Sequence, residues 1–259
     1  MGILNITPVS MSGPNKKRSV KEIKEEIIEM VNSGAEIIDI GGESTRPGAI
    51  AISPQQEWER IYPLIKEMQN ILKDQRLSLQ PQISIDTYHA ETVKNLIPFN
   101  IDIINDVSGK EKEQIVKYIK GKKIKYILVH NVGKAGSGYL KVNDEQLVDH
   151  MIHWFSDTIN KLVKLGLDRK QIIIDPGIGF GKTARQASFI IKNIEKFKKI
   201  GIPVLVGHSR KASAMPSVAH LPAKDRDLET AWLSRYFLEK GIDYVRVHNC
   251  SLNRRLMQM

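Results

Sequence analysis

The chain has 259 residues, 41% of them hydrophobic, which is enough for one sizeable core or two small ones. Its 39 Lys and Arg against 29 Asp and Glu leave a net charge of +10, but the lysines are scattered over helix-like segments with no interleaved aromatics. That pattern argues for a solvated surface and suits an anionic small substrate, and it speaks against a nucleic-acid partner. The one cysteine, Cys250, excludes an internal disulfide and any cysteine-based zinc site and points to a reducing, cytoplasmic setting. No stretch approaches the roughly 18 apolar residues of a membrane span, so no membrane partner is expected.

Taken in order, short apolar runs alternate eight times with amphipathic segments rich in Lys, Glu, Ile and Leu. The spacing predicts strands over 2–6, 36–40, 83–85, 101–104, 124–129, 171–174, 202–206 and 244–247, and helices over 20–31, 55–72, 90–96, 113–119, 144–165, 187–197 and 227–238. Such alternation argues for a parallel sheet with covering helices, and eight strands make closure into a (β/α)8 TIM barrel the natural architecture. A small residue recurs before the strands in Gly34-Ala-Glu-Ile, Asn100-Ile-Asp-Ile and Gly241-Ile-Asp-Tyr, as a faint internal repeat. No Pro/Ser-rich linker interrupts the chain, so one domain over 1–259 is expected. After the eighth strand only 251–259 remain, barely two helical turns at ~3.6 residues each. The closing helix is therefore expected to be stunted, or the chain to be a trimmed or fused piece of something longer.

Polar residues fall where these strands end. Asn5 and Thr7 follow the first; Gly41-Gly-Glu-Ser-Thr45-Arg46 the second; Asp86-Thr87 the third; Asn105-Asp106 close the fourth; and His130-Asn131 follow the fifth. The sixth strand, three isoleucines long, delivers Asp175 and the glycine-rich turn Pro176-Gly-Ile-Gly-Phe180-Gly-Lys182. His208-Ser209-Arg210-Lys211 follow the seventh, and Arg246 and His248 lie in and just after the eighth. In a barrel these positions line the active-site face. Several have plainer readings: Asp106 and Ser108 as helix caps, Asp39 as a buried structural acid, Glu43 as a partner for a neighbouring strand, and His89, His150, His153 and His220 as surface or packing residues. Asp86, Asn105, Asp175 and Lys211 read as ligand-binding, because they meet only if the barrel closes. Two carboxylates and an amide suit a flat, nitrogen-rich heterocycle with several N–H donors, whereas Arg46, Arg246 and His248 suit a phosphate or pyrophosphate. A pterin bearing a pyrophosphate satisfies both halves.

Gly2-Ile-Leu-Asn5-Ile-Thr-Pro, Gly41-Gly-Glu-Ser-Thr-Arg-Pro-Gly48, Ile83-Ser-Ile-Asp86-Thr, Ile104-Asn105-Asp-Val-Ser-Gly, Asp175-Pro-Gly-Ile-Gly-Phe-Gly-Lys, Gly207-His-Ser-Arg-Lys211 and Arg246-Val-His248-Asn together resemble the ordered motif set of dihydropteroate synthases, across nearly the whole chain. The resemblance implies an enzyme that joins 4-aminobenzoate to 6-hydroxymethyl-7,8-dihydropterin pyrophosphate, releasing pyrophosphate and 7,8-dihydropteroate in folate synthesis. It implies that Asp86, Asn105, Asp175 and Lys211 hold the pterin, with Phe180 beside that pocket. By the same resemblance Asn5 binds a Mg2+ that accompanies the pyrophosphate, Arg46, Arg246 and His248 surround the anion, and Thr45 and Ser209 lie near the aminobenzoate. Asp86, Lys211, Arg246 and His248 are the residues expected to carry catalysis, in a homodimer.

The chain departs from that pattern in its first loop. Val9-Ser10-Met11-Ser12-Gly13-Pro14 stand where the family usually has Asp-Ser-Phe-Ser-Asp-Gly, so two acids and an aromatic are replaced. Ala187 replaces an expected asparagine, His130-Asn131-Val132-Gly133 is a loose version of the usual turn, and His208 is unusual before Ser209. These departures keep a second reading in view, a degenerate paralogue that binds pterin without turnover. A third, a methyltransferase binding methyltetrahydrofolate on the same barrel, needs no pyrophosphate site, and Arg46, Arg246 and His248 argue against it.

Overall fold

The structure is a computed structural model and describes residues 1–6, 18–44, 49–133 and 140–259. Its strands are β1 (Gly2–Asn5), β2 (Ile37–Gly41), β3 (Gln82–Asp86), β4 (Ile103–Asp106), β5 (Lys125–Val129), β6 (Ile172–Asp175), β7 (Leu205–Val206) and β8 (Tyr244–Val245). The helices are α1 (Val20–Asn32), α2 (Pro54–Leu72), α3 (Ala90–Leu96), α4 (Lys112–Ile119), α5 (Asp144–Lys164), α6 (Ala184–Lys192), α7 (Asp227–Glu239) and α8 (Cys250–Met257). Strands β1 to β6 pair in sequence order, all parallel, and β7 pairs with β8. Single bridges close the circle: Ile174 N donates to Pro203 O at 3.0 Å, while Ile3 N donates to Val247 O and Val247 N to Met1 O, both at 2.9 Å. The result is the closed (β/α)8 barrel that the alternation predicts.

Because side chains alternate along a strand, each strand feeds two cores. One set, including Leu4, Ile38, Ile40, Ile83, Ile85, Tyr126, Leu128, Ile172 and Ile174, packs outward against the apolar stripes of the helices. The other set, Ile37, Ile103, Ile127, Ile173 and Leu205, fills the barrel interior, with Met1 and Tyr244 packed against it. Strands buried on both faces read as unbroken Ile and Val runs, which is why β6 carries three isoleucines.

Local chemistry sets several boundaries. Ser19 with Glu22, Ser53 with Gln56 and Thr183 with Gln186 form capping boxes at the starts of α1, α2 and α6. The last of these starts α6 at Ala184, three residues ahead of the predicted start, and the segment Ile194–Ile200 that hydrophobic spacing assigns partly to this helix is a separate 3-10 turn. Strands β7 and β8 are shorter than expected because their ends take part only in the closing bridges. The last helix, α8, has eight residues.

Candidate active site

Inward positions change character along the barrel axis. On β2 the successive inward residues are Ile37 and Asp39, on β4 Ile103 and Asn105, on β6 Ile173 and Asp175; on β7 and just past it they are Leu205 and Gly207, and on β8 and just past it Tyr244 and Arg246. The amino-terminal half of the interior is apolar and the carboxyl end polar, so ionisable groups are forced together in a largely buried space.

Asp39 lies deepest and is fully buried. Its Oδ1 accepts from Ser84 Oγ at 2.5 Å, and its Oδ2 from Asn105 Nδ2 at 3.0 Å and Arg246 Nε at 2.5 Å. A second guanidinium nitrogen of Arg246 donates to Asp86 Oδ2 at 2.7 Å. Arg246 is thus the shared counter-ion of two buried acids. The bond to Asp39 also fixes which end of the Asn105 amide carries the oxygen. Register neighbours place Asn5, Gly41, Asp86 and Asn105 side by side at the rim. A Cβ on Gly41 would lie 3.4 Å from Asn5 Oδ1 and 3.8 Å from Asp86 Oδ2, which places these two side chains close together over Gly41. Burial pushes the Asp86 carboxyl up to about 7 against the attraction of Arg246, with Asp39 and Glu57 adding repulsion. Behind it, Thr87 donates to Glu57 Oε2 at 2.6 Å, anchoring the end of β3 to α2.

The opposite side is built on Asp175. Its Oδ1 accepts from Gly177 N at 2.7 Å, and burial raises its pKa against the pull of Lys211. Gly177 has φ 67°, and a Cβ there would come within 2.2 Å of His130 O, so only glycine lets the turn pass. Lys182 pins that turn by donating to the carbonyls of His130, Gly177 and Phe180 at 2.8, 3.0 and 3.1 Å. Lys211 Nζ donates to Ile178 O at 2.6 Å and lies 4.5 Å from the Phe180 ring centroid, with burial lowering its pKa to about 8. Its charge reaches both Asp175 and Asp86. Between β7 and β8, Ser209 Oγ accepts from His248 N at 3.1 Å and lies 2.9 Å from His248 Nδ1.

Of the residues singled out from sequence, Asn5, Asp86, Asn105, Asp175, Phe180, Ser209, Lys211, Arg246 and His248 are gathered at this one end. Thr45 and Arg46 lie outside the described residues, as do Val9, Met11 and Gly13. Asp106 does not cap α4, whose N-cap is Glu111; its Oδ1 instead closes the turn after β4 by accepting from Ser108 N and Gly109 N at 3.0 and 2.7 Å, while Tyr126 donates to Oδ2 at 2.6 Å. Glu43 accepts from Tyr88 OH at 2.8 Å and lies 3.3 Å from His89 Nε2, tying the loop after β2 to the loop after β3. Asp39 is the buried acid expected from sequence, but its bonds to Asn105 and Arg246 were missed, as were the parts played by Ser84 and Lys182. Asp39 was within reach of the period-two pattern, since it is the inward residue just before Gly41.

A closed parallel barrel whose carboxyl rim combines buried carboxylates, an amide and several cations defines a (β/α)8 enzyme with a small-molecule site. A model of pterin binding enzymes matches residues 1–248. The dihydropteroate synthase of Clostridium beijerinckii is 34% identical over 100% of this chain and 91% of its own. Among solved structures, a dihydropteroate synthase from Clostridium difficile, in the presence of pteroic acid, superposes with a TM-score of 0.87 at 30% identity, covering 100% of this chain and 93% of that one. One from Anaplasma phagocytophilum, with bound 6-hydroxymethylpterin-monophosphate, gives 0.86 at 32% identity over 99% and 95%. This chain belongs to the pterin binding enzyme family, among its dihydropteroate synthases.

Proposed function

We infer that this chain joins 6-hydroxymethyl-7,8-dihydropterin pyrophosphate to 4-aminobenzoate, releasing pyrophosphate and 7,8-dihydropteroate. The observation that carries the division of labour is the convergence of Asp86, Asn105, Asp175 and Lys211 on one buried end of the barrel, with Ser209, Arg246 and His248 beside them. The two carboxylates accept ring N–H bonds of the pterin, Asn105 supplies an amide and Lys211 a donor, and Phe180 flanks the ring. The methylene C–O bond breaks as pyrophosphate leaves, and the pterin methylene cation is stabilised by the nearby carboxylates. The arylamine nitrogen then attacks and loses a proton. By the family resemblance His248, Arg46 and Arg246 would serve the departing anion, and Thr45 and Ser209 the aminobenzoate.

Asn5 suits a hard cation: its amide oxygen sits at the rim beside Asp86. Among the described residues no three His, Cys, Asp or Glu side chains gather as a metal cage. This fits Mg2+ held by one protein oxygen together with substrate oxygens and water. When bound, Mg2+ neutralises the leaving pyrophosphate. We read the span 1–259 as one domain and the molecule as a homodimer, supported by the exposed Leu228 and Trp232 on α7 beside a groove of about 340 Å³ lined by Met215, Pro216, Leu233 and Tyr236. Among the described residues no helix is long and apolar enough to cross a membrane. The single cysteine, free and buried, supports a cytoplasmic placement.

Titration of the site gives a test. In the free protein Asp86 titrates near 7 and Lys211 near 8. A pterin N–H needs the carboxylate, so affinity for 6-hydroxymethylpterin is expected to fall by up to about tenfold per pH unit below 7, with a proton released on binding. Above 8 affinity falls again as Lys211 loses its proton, and binding then takes a proton up. Calorimetry in buffers of different ionisation enthalpy reads both signs; affinity that stays flat from about pH 6 to 9 would contradict the assignment.

The first loop gives another. An isopropyl group at Val9 can neither pair with an arginine nor accept a hydrogen bond, so pterin affinity should be near normal while bond cleavage is slow. Val9→Asp with Met11→Phe is expected to raise turnover roughly ten- to a hundredfold, about 1.4 to 2.8 kcal/mol of barrier. If the double substitution leaves the rate unchanged, this loop does not limit the reaction.

A further inference from the structure

The turn carrying Ser209 and the turn carrying His248 are joined inside the site by the Ser209 hydroxyl, and they are joined again behind it. His208, adjacent to Ser209, is fully buried and points away from the site, toward α7 and α8. Its Nε2 lies 3.0 Å from Ser234 Oγ and 3.0 Å from Thr230 O, with the ring edge-on to Phe237. Ser234 Oγ lies 2.6 Å from Asn253 Oδ1, and Asn253 Nδ2 donates to Asn249 O at 2.7 Å.

The proton order along this chain follows from the donors available. The bond to Asn249 O fixes the Asn253 amide with its oxygen toward Ser234, and an amide oxygen only accepts. Ser234 has one proton, and the 2.6 Å contact to Asn253, shorter than its 3.0 Å contact to Thr230 O, places it there; the hydroxyl therefore accepts from His208, whose Nε2–H it shares with Thr230 O. Burial drives the His208 pKa down to about 4, so the ring is neutral and carries its proton on Nε2. The direction is His208 to Ser234 to Asn253 to the carbonyl of Asn249, the residue that follows His248.

The backbone between these points needs such support. Arg210 is the one described non-glycine residue with positive φ, at 60°, a conformation that persists only where its surroundings over-determine it. Thr230 Oγ1 accepts from Arg210 N at 3.1 Å, Asp227 takes the Arg210 guanidinium at 2.6 and 2.8 Å, and Asn249 Nδ2 reaches the same Asp227 at 3.1 Å. The residues flanking Ser209 and the residue after His248 are thus all fastened to α7 or α8.

We propose that His208, Ser234 and Asn253 form a positioning relay that sets the Ser209–His248 pair against the anionic end of the substrate. The proposal rests on the reading above, in which His248 faces the pyrophosphate. His208 touches no substrate; it acts through the placement of its neighbours, where a small displacement weakens contact with a diphosphate more than contact with a ring held by β3, β4 and β6 and by Lys211, whose ammonium is anchored separately on Ile178 O.

Calorimetry with two probes separates these effects: 6-hydroxymethyl-7,8-dihydropterin pyrophosphate with Mg2+, and 6-hydroxymethylpterin without phosphate. His208→Phe keeps a ring and removes the donor, and is expected to weaken the pyrophosphate-bearing probe about tenfold while changing the other by less than about twofold. His208→Gln, whose amide nitrogen can stand near the Nε2 position, should recover most of that loss. Ser234→Ala removes a single hydroxyl, carries the test if the ring variant unfolds, and should match His208→Phe, with the double variant no worse than either single one. Long-range 15N–1H spectra should show His208 protonated on Nε2. Equal weakening of both probes, a glutamine variant no better than phenylalanine, additive losses, or an Nδ1-protonated ring would each overturn the relay. A wild-type protein that binds neither probe would instead overturn the site assignment beneath it.

Discussion

Replacing Asp175 by asparagine is expected to weaken pterin binding roughly a hundredfold or more, while the protein stays folded. A carboxylate accepting two ring N–H bonds contributes about 1.5 to 3 kcal/mol per charge-assisted bond, and each 1.4 kcal/mol is about tenfold in affinity. The local fold does not need the charge: an asparagine oxygen can still accept from Gly177 N, and burial already disfavours the ionised form. The loss should be larger than steric change alone explains, because Asp175 is also the group that raises the Lys211 pKa most. Calorimetry with 6-hydroxymethylpterin and a thermal melt together read the result. Unchanged affinity would remove Asp175 from the pocket, and an unfolded variant would make it a structural acid.

Arg246→Ala should be the more damaging change to stability, by about 3 to 5 kcal/mol, because it leaves Asp39 and Asp86 buried without their counter-ion. The resemblance alone places Arg246 with His248 around the pyrophosphate, which predicts matched behaviour for the two alanine variants. The ion pairs of Arg246 with Asp39 and Asp86, which His248 does not share, predict a difference. His248→Ala should weaken only the pyrophosphate-bearing substrate, whereas Arg246→Ala should lower the melting temperature, drive the Asp86 carboxyl further toward its neutral form and weaken phosphate-free pterin as well. A second substitution, Asp39→Asn in the Arg246→Ala background, removes one stranded charge and should restore part of the stability, as denaturant titration would measure. A stability loss below about 1 kcal/mol for Arg246→Ala would mean the two acids do not depend on it.

What could be read from the sequence was what repeats locally. Eight Ile/Val-rich runs separated by amphipathic segments gave the strand order and the barrel, and the residues just past each run gave the rim of the site. The capping boxes at Ser19, Ser53 and Thr183 were equally local; using the last would have started α6 at Ala184. What could not be read was pairing across the barrel. Asp39 and Arg246 are 207 residues apart, and nothing near either one says that they share a bond. Lys182 read only as the end of the glycine-rich turn, and only the fold shows its ammonium spent on two carbonyls of that turn and on His130 O from the loop after β5. His208 read as an oddity for the same reason, since its partners Ser234 and Asn253 belong to two other helices.

The most direct measurement is a coupled assay for pyrophosphate release with 6-hydroxymethyl-7,8-dihydropterin pyrophosphate and Mg2+, run with and without 4-aminobenzoate. A working synthase releases pyrophosphate in step with 7,8-dihydropteroate when 4-aminobenzoate is present, and Asp175→Asn abolishes both. A protein that binds the pterin substrate tightly but yields no dihydropteroate at any 4-aminobenzoate concentration would contradict this function and leave a binding protein on a synthase barrel.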